Sequence, residues 1–265
     1  NYMPELPEVE VVKKSLEKEI NNLTIKNVRI NDGKLRYAIK KKDFDKIIGS
    51  KIINIKRRSK YLIFIFNNGL IMIVHLGMTG KFYIIKNNKI KKRTSFYYHL
   101  KKGKYEKHDR LIFHLSKNTK LIYNDVRKFG FIKFDYLKKL SNNVHLKKLG
   151  PEPFNKEFNF EYFKNYLAGK KRNIKDLLMD QKFVAGLGNI YVNEILFISK
   201  IKPLRKVKNL KNSEINMIIK NTKVILKKAI YSGGSSIQNF SNSLGNKGNY
   251  QQHFSVYGKK GEKCS

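Results

Sequence analysis

Residues 5–20 place apolar side chains at Val9, Val12, Leu16 and Ile20, three and four positions apart, with lysine and glutamate between them. That period predicts an amphipathic helix opening the chain. The period then shortens. The run KYLIFIFNNGLIMIVHL at 60–76 reads as two apolar strands around Asn68-Gly69, a pair that tolerates positive φ and favours a tight hairpin turn. Residues 110–123 repeat the plan on either side of 117–119. The first half is therefore expected to be mainly antiparallel β, two packed sheets behind one opening helix.

From about residue 140 the spacing becomes helical. LGPEPF at 149–154 is a link punctuated by proline and glycine, and helices are predicted over 157–168, 172–181, 189–199 and 213–231. The last puts Ile215, Ile218, Ile219, Thr222, Ile225, Leu226, Ala229 and Ile230 on one face, and Gly233-Gly234 stops it. SNSLGNKGNY at 241–250 reads as a mobile polar loop, and HFSVYGKKGEKC at 253–264 as a strand and turn that ends in mid-motif. The expected class is α+β, with segments at 1–138, 139–250 and 251–265.

Composition narrows the partners. The 265 residues are 41% hydrophobic, enough for a real core. The chain has no apolar run of membrane-spanning length, and its acidic opening lacks a signal core, which argues for a cytoplasmic protein. A formal charge of +37 points to a polyanion, because clustered cations neutralise phosphates and release counterions. Compositional drift toward lysine, asparagine and isoleucine would inflate that number, so the nine arginines say more than the 48 lysines. The single cysteine, Cys264, excludes a disulfide scaffold and fits a reducing compartment.

The opening MPELPEVE at 3–10 carries the sharpest chemistry. Removal of residues through Met3 would free a secondary amine on Pro4. An α-amino group has a pKa near ~8 and is partly unprotonated at neutral pH. Such an amine could attack a sugar C1′, displace a base and form an iminium, with Glu5 protonating the opening sugar ring. The plainer alternative is a proline in the first turn of a helix, with acids at its positive end.

The blocks MPELPEVE, RRSKYL (57–62), HLGMTG (75–80), DVRKFG (125–130), LGPEP (149–153) and MDQKFVAGLGNIYVNE (179–194) follow one another along almost the whole chain. Together they resemble the bacterial formamidopyrimidine-DNA glycosylases. The resemblance implies a two-sheet β-sandwich followed by a helix–two-turn–helix domain and the start of a zinc finger. It also implies a glycosylase and β,δ-lyase acting on 8-oxoguanine and ring-opened purines in damaged duplex DNA, as a monomer.

By position, the resemblance makes Pro4 the Schiff-base nucleophile, Glu5 the proton donor and Lys60 the lysine that assists elimination and contacts phosphate. Glu8 is a second acid shaping the same pocket. Met78, Arg127 and Phe129 correspond to the side chains that fill the gap left by an extruded base. A flexible apolar chain, a hydrogen-bonding fork and an aromatic wedge are chemically suited to that role. Taken alone, Met78 and Phe129 would more commonly be core residues. Gly188 and Asn189 fall at a helix start suited to a phosphate, Lys175 matches a phosphate-binding lysine with Lys171 a turn before it as a further DNA contact, and His108 matches a histidine near DNA.

Two departures stand out. A structural zinc ion in this family needs four thiolates from two C-x2-C pairs, and this chain offers Cys264 alone, so zinc is not expected here and DNA binding should be weaker. Asn1 and Tyr2 precede Met3, and with them attached Pro4 is an unreactive tertiary amide. The reading therefore expects a cellular protein that begins at Met3 and continues past Ser265. Val126 and Lys128 stand where proline and arginine are usual. Competing readings are an endonuclease VIII-type enzyme for oxidised pyrimidines, a non-catalytic damage binder with Pro4 blocked, and a basic RNA-binding protein. The run at 6–10 and the length of the 241–250 loop favour the purine branch.

Overall fold

A computed structural model describes residues 3–87, 89–94, 106–235 and 249–263. The opening helix α1 (Leu6–Ile20) is followed by β1 (Ile25–Ile30), α2 (Lys41–Asp45), β2 (Ile52–Arg58), β3 (Tyr61–Phe66), β4 (Leu70–His75), β5 (Lys81–Lys86), β6 (Lys89–Thr94), β7 (Asp109–Leu115), β8 (Thr119–Asn124) and β9 (Phe131–Tyr136). These strands form two antiparallel sheets, β1-β7-β8-β5-β6 and β2-β3-β4-β9. The helical half follows: α3 (Phe160–Leu167), α4 (Ile174–Leu178), α5 (Asn189–Ile198) and α6 (Asn212–Tyr231). The α+β class expected from the sequence is the one observed.

The near-continuous apolar run of β3 and β4 has a two-sided explanation. Leu62, Phe64, Met72 and Val74 enter the core between the sheets, while Ile63, Ile65, Ile71 and Ile73 pack beneath Leu140, Leu146 and Leu149. Their hairpin turns through Asn68-Gly69 as expected, with Gly69 at positive φ, and pairs Phe64 with Met72, a register that adds Asn67 to the loop between β3 and β4. The β7–β8 turn uses Lys117 and Asn118, both at positive φ, which matches the right-handed twist of the flanking strands.

The four predicted apolar residues of α1 all lie in the sandwich core, whereas Leu6 belongs to the helical core with Phe183, Leu187 and Tyr191. One helix therefore contributes to both hydrophobic clusters. On α6, Ile215, Ile218, Thr222, Ile225, Leu226 and Ala229 are buried, and Gly234 N–H closes the helix onto the Ala229 carbonyl at 2.7 Å.

Three expectations need correction. The helix predicted over 172–181 is confined to Ile174–Leu178, because Asp180 and Gln181 leave it to bind Arg172 and the Gly150 N–H. The helix predicted from 157 begins at Phe160, where the Asn159 side chain accepts the Tyr162 N–H at 2.9 Å. The strand expected in 253–264 is absent among the described residues there. A 3-10 turn at Tyr250–His253 leads into bends, and the N–H groups of Ser255, Val256 and Tyr257 donate to the buried Glu194 carboxylate at 2.7, 3.0 and 2.8 Å. A carboxylate on α5 takes the donors that a neighbouring strand would otherwise need. Of the expected loop at 241–250, residues 241–248 lie outside the described residues, as does Cys264.

Glu194 is thus the anchor of the terminal segment. Hydrogen bonds to a charged group contribute about 1.5–3 kcal/mol each, and partial loss is expected on truncation. Glu194→Ala should lower the unfolding free energy by roughly 3 kcal/mol and speed amide exchange at 255–257 ahead of the α5 core. Unchanged exchange at those amides would contradict the anchoring role.

Candidate active site at the helix seam

The first turn of α1 lacks intrahelical partners for its N–H groups. Glu5 and Glu8 form a capping box, with Glu5 N–H donating to Glu8 Oε2 at 3.0 Å. The Leu6 N–H leaves the helix altogether and donates to the Gly186 carbonyl at 3.0 Å. The amino end of α1 is therefore seated on the loop that precedes α5.

That seat allows little space. Gly186 has φ +93°, and a Cβ there would lie 2.7 Å from Leu6. A Cβ on Gly188 would lie 2.5 Å from the Glu5 carboxyl group. Glycine at 188 lets the Glu5 carboxylate reach the start of α5, where Oε1 accepts the Ile190 N–H at 2.9 Å and Oε2 the Tyr191 N–H at 3.4 Å. Glu5 caps a helix that lies 185 residues away in sequence, and the positive end of that helix favours its charge.

Glu8 lies deeper. Its Oε1 accepts from the Tyr191 hydroxyl at 2.6 Å and from both the N–H and hydroxyl of Ser235 at 2.9 Å. Burial raises the pKa of both acids. For Glu5 desolvation outweighs the nearby Lys60 ammonium and the helix donors, and with Glu8 adding to the rise the pKa reaches about 7. Lys60 is shifted the other way, lowered by desolvation against the opposing pull of Glu5 and Glu8. Pro4, the residue preceding Glu5, is buried. The arrangement holds a carboxyl group able to give up a proton near neutrality next to a lysine of weakened basicity.

The turn carrying Lys60 is itself held from two sides. Ser59 has φ +54°, an uncommon conformation for a serine. Its N–H donates to Glu152 Oε1 at 2.6 Å and its hydroxyl to Gln181 Oε1 at 3.1 Å. Arg57 bridges Glu10 and Glu152, while Arg58 binds Glu152 and the carbonyls of Leu149 and Gly150. The blocks RRSKYL, LGPEP and MDQK, far apart in sequence, are one ion-pair and hydrogen-bond network beneath Lys60.

Met78 lies on the β4–β5 connection, partly exposed; Arg127 and Phe129 lie exposed on the β8–β9 connection. The Arg127 guanidinium sits 4.6 Å over the Phe129 ring. The structure therefore brings these residues onto neighbouring loops and leaves Phe129 out of the core. His108 is half-buried near the root of the second loop, where its carbonyl accepts the Asp125 N–H at 3.1 Å. Burial and the cations Arg110, Lys107, Lys81 and Lys128 lower its pKa. Asn189 is exposed at the start of α5, Lys175 lies on α4, and Lys171 is exposed ahead of it. Among the described residues, the Glu5 cluster takes its hydrogen bonds from other groups than these two lysines.

Sequence reasoning missed several residues. His75 accepts the Gly77 N–H on Nδ1 at 3.0 Å and stacks on Phe131, and burial with the nearby Lys60, Arg36 and His145 lowers its pKa to about 4. It is a neutral imidazole carrying its proton on Nε2. Tyr191, Ser235, Glu152, Gln181 and Asp125 were also passed over. All but Ser235 stand inside the recognised blocks, and each acts through a partner distant in sequence.

No group of three or more His, Cys, Asp or Glu side chains that could hold a metal occurs among the described residues. With one cysteine in the sequence, the donors of this chain do not fit a four-thiolate zinc site. Among the described residues no helix is long and apolar enough to cross a membrane.

Residues 3–132 match the family model of the formamidopyrimidine-DNA glycosylase N-terminal domain, and residues 149–241 match that of the formamidopyrimidine-DNA glycosylase H2TH domain. Among curated relatives, the formamidopyrimidine-DNA glycosylase of Rickettsia bellii (strain OSU 85-389) is 41% identical over 99% of this chain and 90% of its own length. That of Rickettsia felis (strain ATCC VR-1525 / URRWXCal2) is 40% identical with the same coverage. Among solved structures, Lactococcus lactis Fpg in complex with abasic-site DNA has a TM-score of 0.85 at 37% identity, covering 98% of this chain and 90% of that one. The wild-type L. lactis enzyme bound to DNA containing N7-benzyl-Fapy-dG has a TM-score of 0.85 at 36% identity, covering 99% and 91%.

The contact at Gly188 yields a direct prediction. Gly188→Ala drives a methyl group into the Glu5 carboxylate, an overpacking that costs about 1–3 kcal/mol. Crystallography of the variant should show Glu5 withdrawn from the Ile190 N–H, with base excision reduced at least about tenfold while the variant still unfolds cooperatively. A variant with Glu5 in place and full activity would contradict the geometry.

Proposed function

The chain belongs to the formamidopyrimidine-DNA glycosylase family, and on that premise we propose that it excises oxidised purines from duplex DNA and then cuts the strand at the abasic site. The observation that carries the reading is the Glu5 carboxyl group. It is buried beside Pro4, poised near pH 7 and within the field of Lys60.

The sequence of steps follows from those groups. The chemistry needs Pro4 as a free secondary amine, with Met3 and the residues before it removed. The damaged nucleotide leaves the stack, and Met78, Arg127 and Phe129 occupy the space it vacates. The Pro4 nitrogen lone pair forms a bond to C1′ as the glycosidic bond breaks. The bonding pair departs with the base, which takes up a proton, and the Pro4 ammonium gives up its own proton so that the nitrogen regains a lone pair. Glu5 donates its proton to O4′ as the C1′–O4′ bond opens, and the nitrogen lone pair completes an iminium. The ionised Glu5 left behind is stabilised by the Ile190 and Tyr191 N–H groups at the start of α5. The iminium acidifies the C2′ proton. Its removal expels the 3′ phosphate, and a second elimination expels the 5′ phosphate.

Lys60 serves the elimination steps and the phosphate beside the lesion, and its lowered pKa leaves more of it as the free amine at neutral pH than a solvated lysine would be. Phosphates flanking the lesion meet the amino end of α5 at Gly188 and Asn189, with Lys171, Lys175 and His108 as further contacts. No redox or nucleotide cofactor enters these steps. The substrate places the protein at the chromosome, in the cytoplasm of a bacterium.

A general acid must start protonated. With the Glu5 pKa at about 7, its protonated fraction falls as pH rises through that value, so single-turnover base excision should decline on the alkaline side of neutrality. Glu5→Gln cannot donate a proton and should lose at least about 100-fold in excision, while binding of lesion-containing duplex persists. Full excision activity in Glu5→Gln, in a chain beginning at Pro4, would overturn the acid assignment.

A further inference from the structure

Both connections that carry the gap-filling residues are places where the chain crosses from one sheet to the other. The 76–80 segment leaves β4 of the four-stranded sheet for β5 of the five-stranded sheet, and 125–130 returns from β8 to β9. Arg127 and Phe129 are exposed at the end of the second crossing, and Phe129 keeps 46% of its surface in solvent. Core packing therefore does not fix them. Their placement relative to Met78 has to come from whatever joins the two backbones.

The joint is a short polar chain. The Asp125 carboxylate is fully buried. Its Oδ1 accepts the Thr79 hydroxyl at 2.5 Å, and its Oδ2 accepts the Gly130 N–H at 2.9 Å. A hydroxyl has one proton to give, and here it goes to the carboxylate. The Thr79 lone pairs therefore face outward, and Oγ1 accepts the backbone N–H of Arg127 at 3.0 Å. One carboxylate and one hydroxyl thus fix the residue after Met78 to the backbone of Arg127, and the polarised hydroxyl strengthens the second bond.

The surroundings leave this joint little freedom. A Cβ on Gly77 would lie 2.5 Å from the Gly130 nitrogen and the Phe129 carbonyl carbon, so the two backbones touch. Arg110 Nε donates to the Asp125 carbonyl at 2.9 Å, and its Nη1 reaches Asp32 at 2.6 Å, which also pairs with Lys128 at 2.8 Å. The base of the second loop is pinned, and the Thr79 bond carries this order directly to the Arg127 backbone.

We propose that Asp125 and Thr79 are positioning residues that set the spacing between Met78 and Arg127, and through it the enzyme's discrimination among bases opposite the lesion. The inference rests on the reading that Arg127 meets the unpaired base. A site of this kind tolerates displacements of only about 0.5 Å. Loss of the Thr79 hydroxyl releases the Arg127 backbone without touching any group that meets DNA.

The test measures single-turnover excision of 8-oxoguanine opposite each of the four bases, using the chain beginning at Pro4. The spread between the best and worst opposite bases should narrow about tenfold in Thr79→Val, the scale of one lost hydrogen bond. Thr79→Ser keeps the hydroxyl and should restore the wild-type spread. Thr79→Ala removes the same hydroxyl with less bulk and should match Thr79→Val, so a folding defect peculiar to valine does not decide the result. Arg127→Ala separates the two ideas. If it narrows the spread while Thr79→Val and Thr79→Ala do not, the positioning role is wrong and the Arg127 reading stands. If Arg127→Ala leaves the spread intact, both fall. A spread as narrow in Thr79→Ser as in Thr79→Val also overturns the proposal, because the hydroxyl is then not the agent.

Discussion

The structure turns on the capture of the Glu5 carboxylate by the amino end of α5. An ionised carboxylate buried without partners would be very costly. Here it is balanced between desolvation, which keeps the proton on, and two helix N–H groups with a nearby ammonium, which draw it off. That balance is useful to an acid that has to release its proton and then exist as an anion in the same place. It also explains why α1 is shared. Its apolar face packs in the sandwich while Leu6 packs among the helices, so the contact that orients Glu5 also joins the two hydrophobic clusters.

Supporting contacts radiate from this seat. Glu8 fills the space behind Glu5 and meets Tyr191 and Ser235. Glu152 and Gln181 hold the Ser59 turn from the helical side, so Lys60 is presented from the sandwich but steadied from across the seam. The same use of buried carboxylates recurs at Glu194, which replaces a strand partner for the terminal segment, and at Asp125, which joins the two sheet crossings. In a chain of net charge +37, four of the acids, Glu5, Glu8, Asp125 and Glu194, are buried anchors, while most of the excess lysine is at the surface where phosphates would meet it.

Much of the fold was legible in the sequence because its periods are local. The spacing of Val9, Val12, Leu16 and Ile20 gave α1, the Asn68-Gly69 pair gave the β3–β4 hairpin, and the apolar face of α6 was read almost residue by residue. The misreadings have two sources. Glu194 turned an expected strand into bends and the Gln181 carbonyl left an expected helix for the Gly150 N–H, both through partners far away in sequence. The Asn159 cap and the Asp180–Arg172 pair are local, and a reading by apolar period passes over such polar contacts. The site divides in the same way. Pro4 and Glu5 could be singled out because their adjacent chemistry sits in a block with a family resemblance, whereas Tyr191, Glu152 and Asp125 matter through contacts to Glu8, Arg58 and Thr79, which lie 183, 94 and 46 residues away. His75 was hidden by its place at the end of a strand, and its neutral state follows only from what surrounds it.

The central claim is that the amine of Pro4, seated against Glu5, forms the covalent bond to the sugar. Borohydride reduction during the reaction of the Pro4-initiated chain with an 8-oxoguanine:C duplex tests it most directly, followed by peptide mapping of any cross-linked product. A reduced adduct on the N-terminal peptide, attached at Pro4, is the predicted result. An adduct on Lys60 instead, or strand cleavage without any trapped adduct, would contradict it.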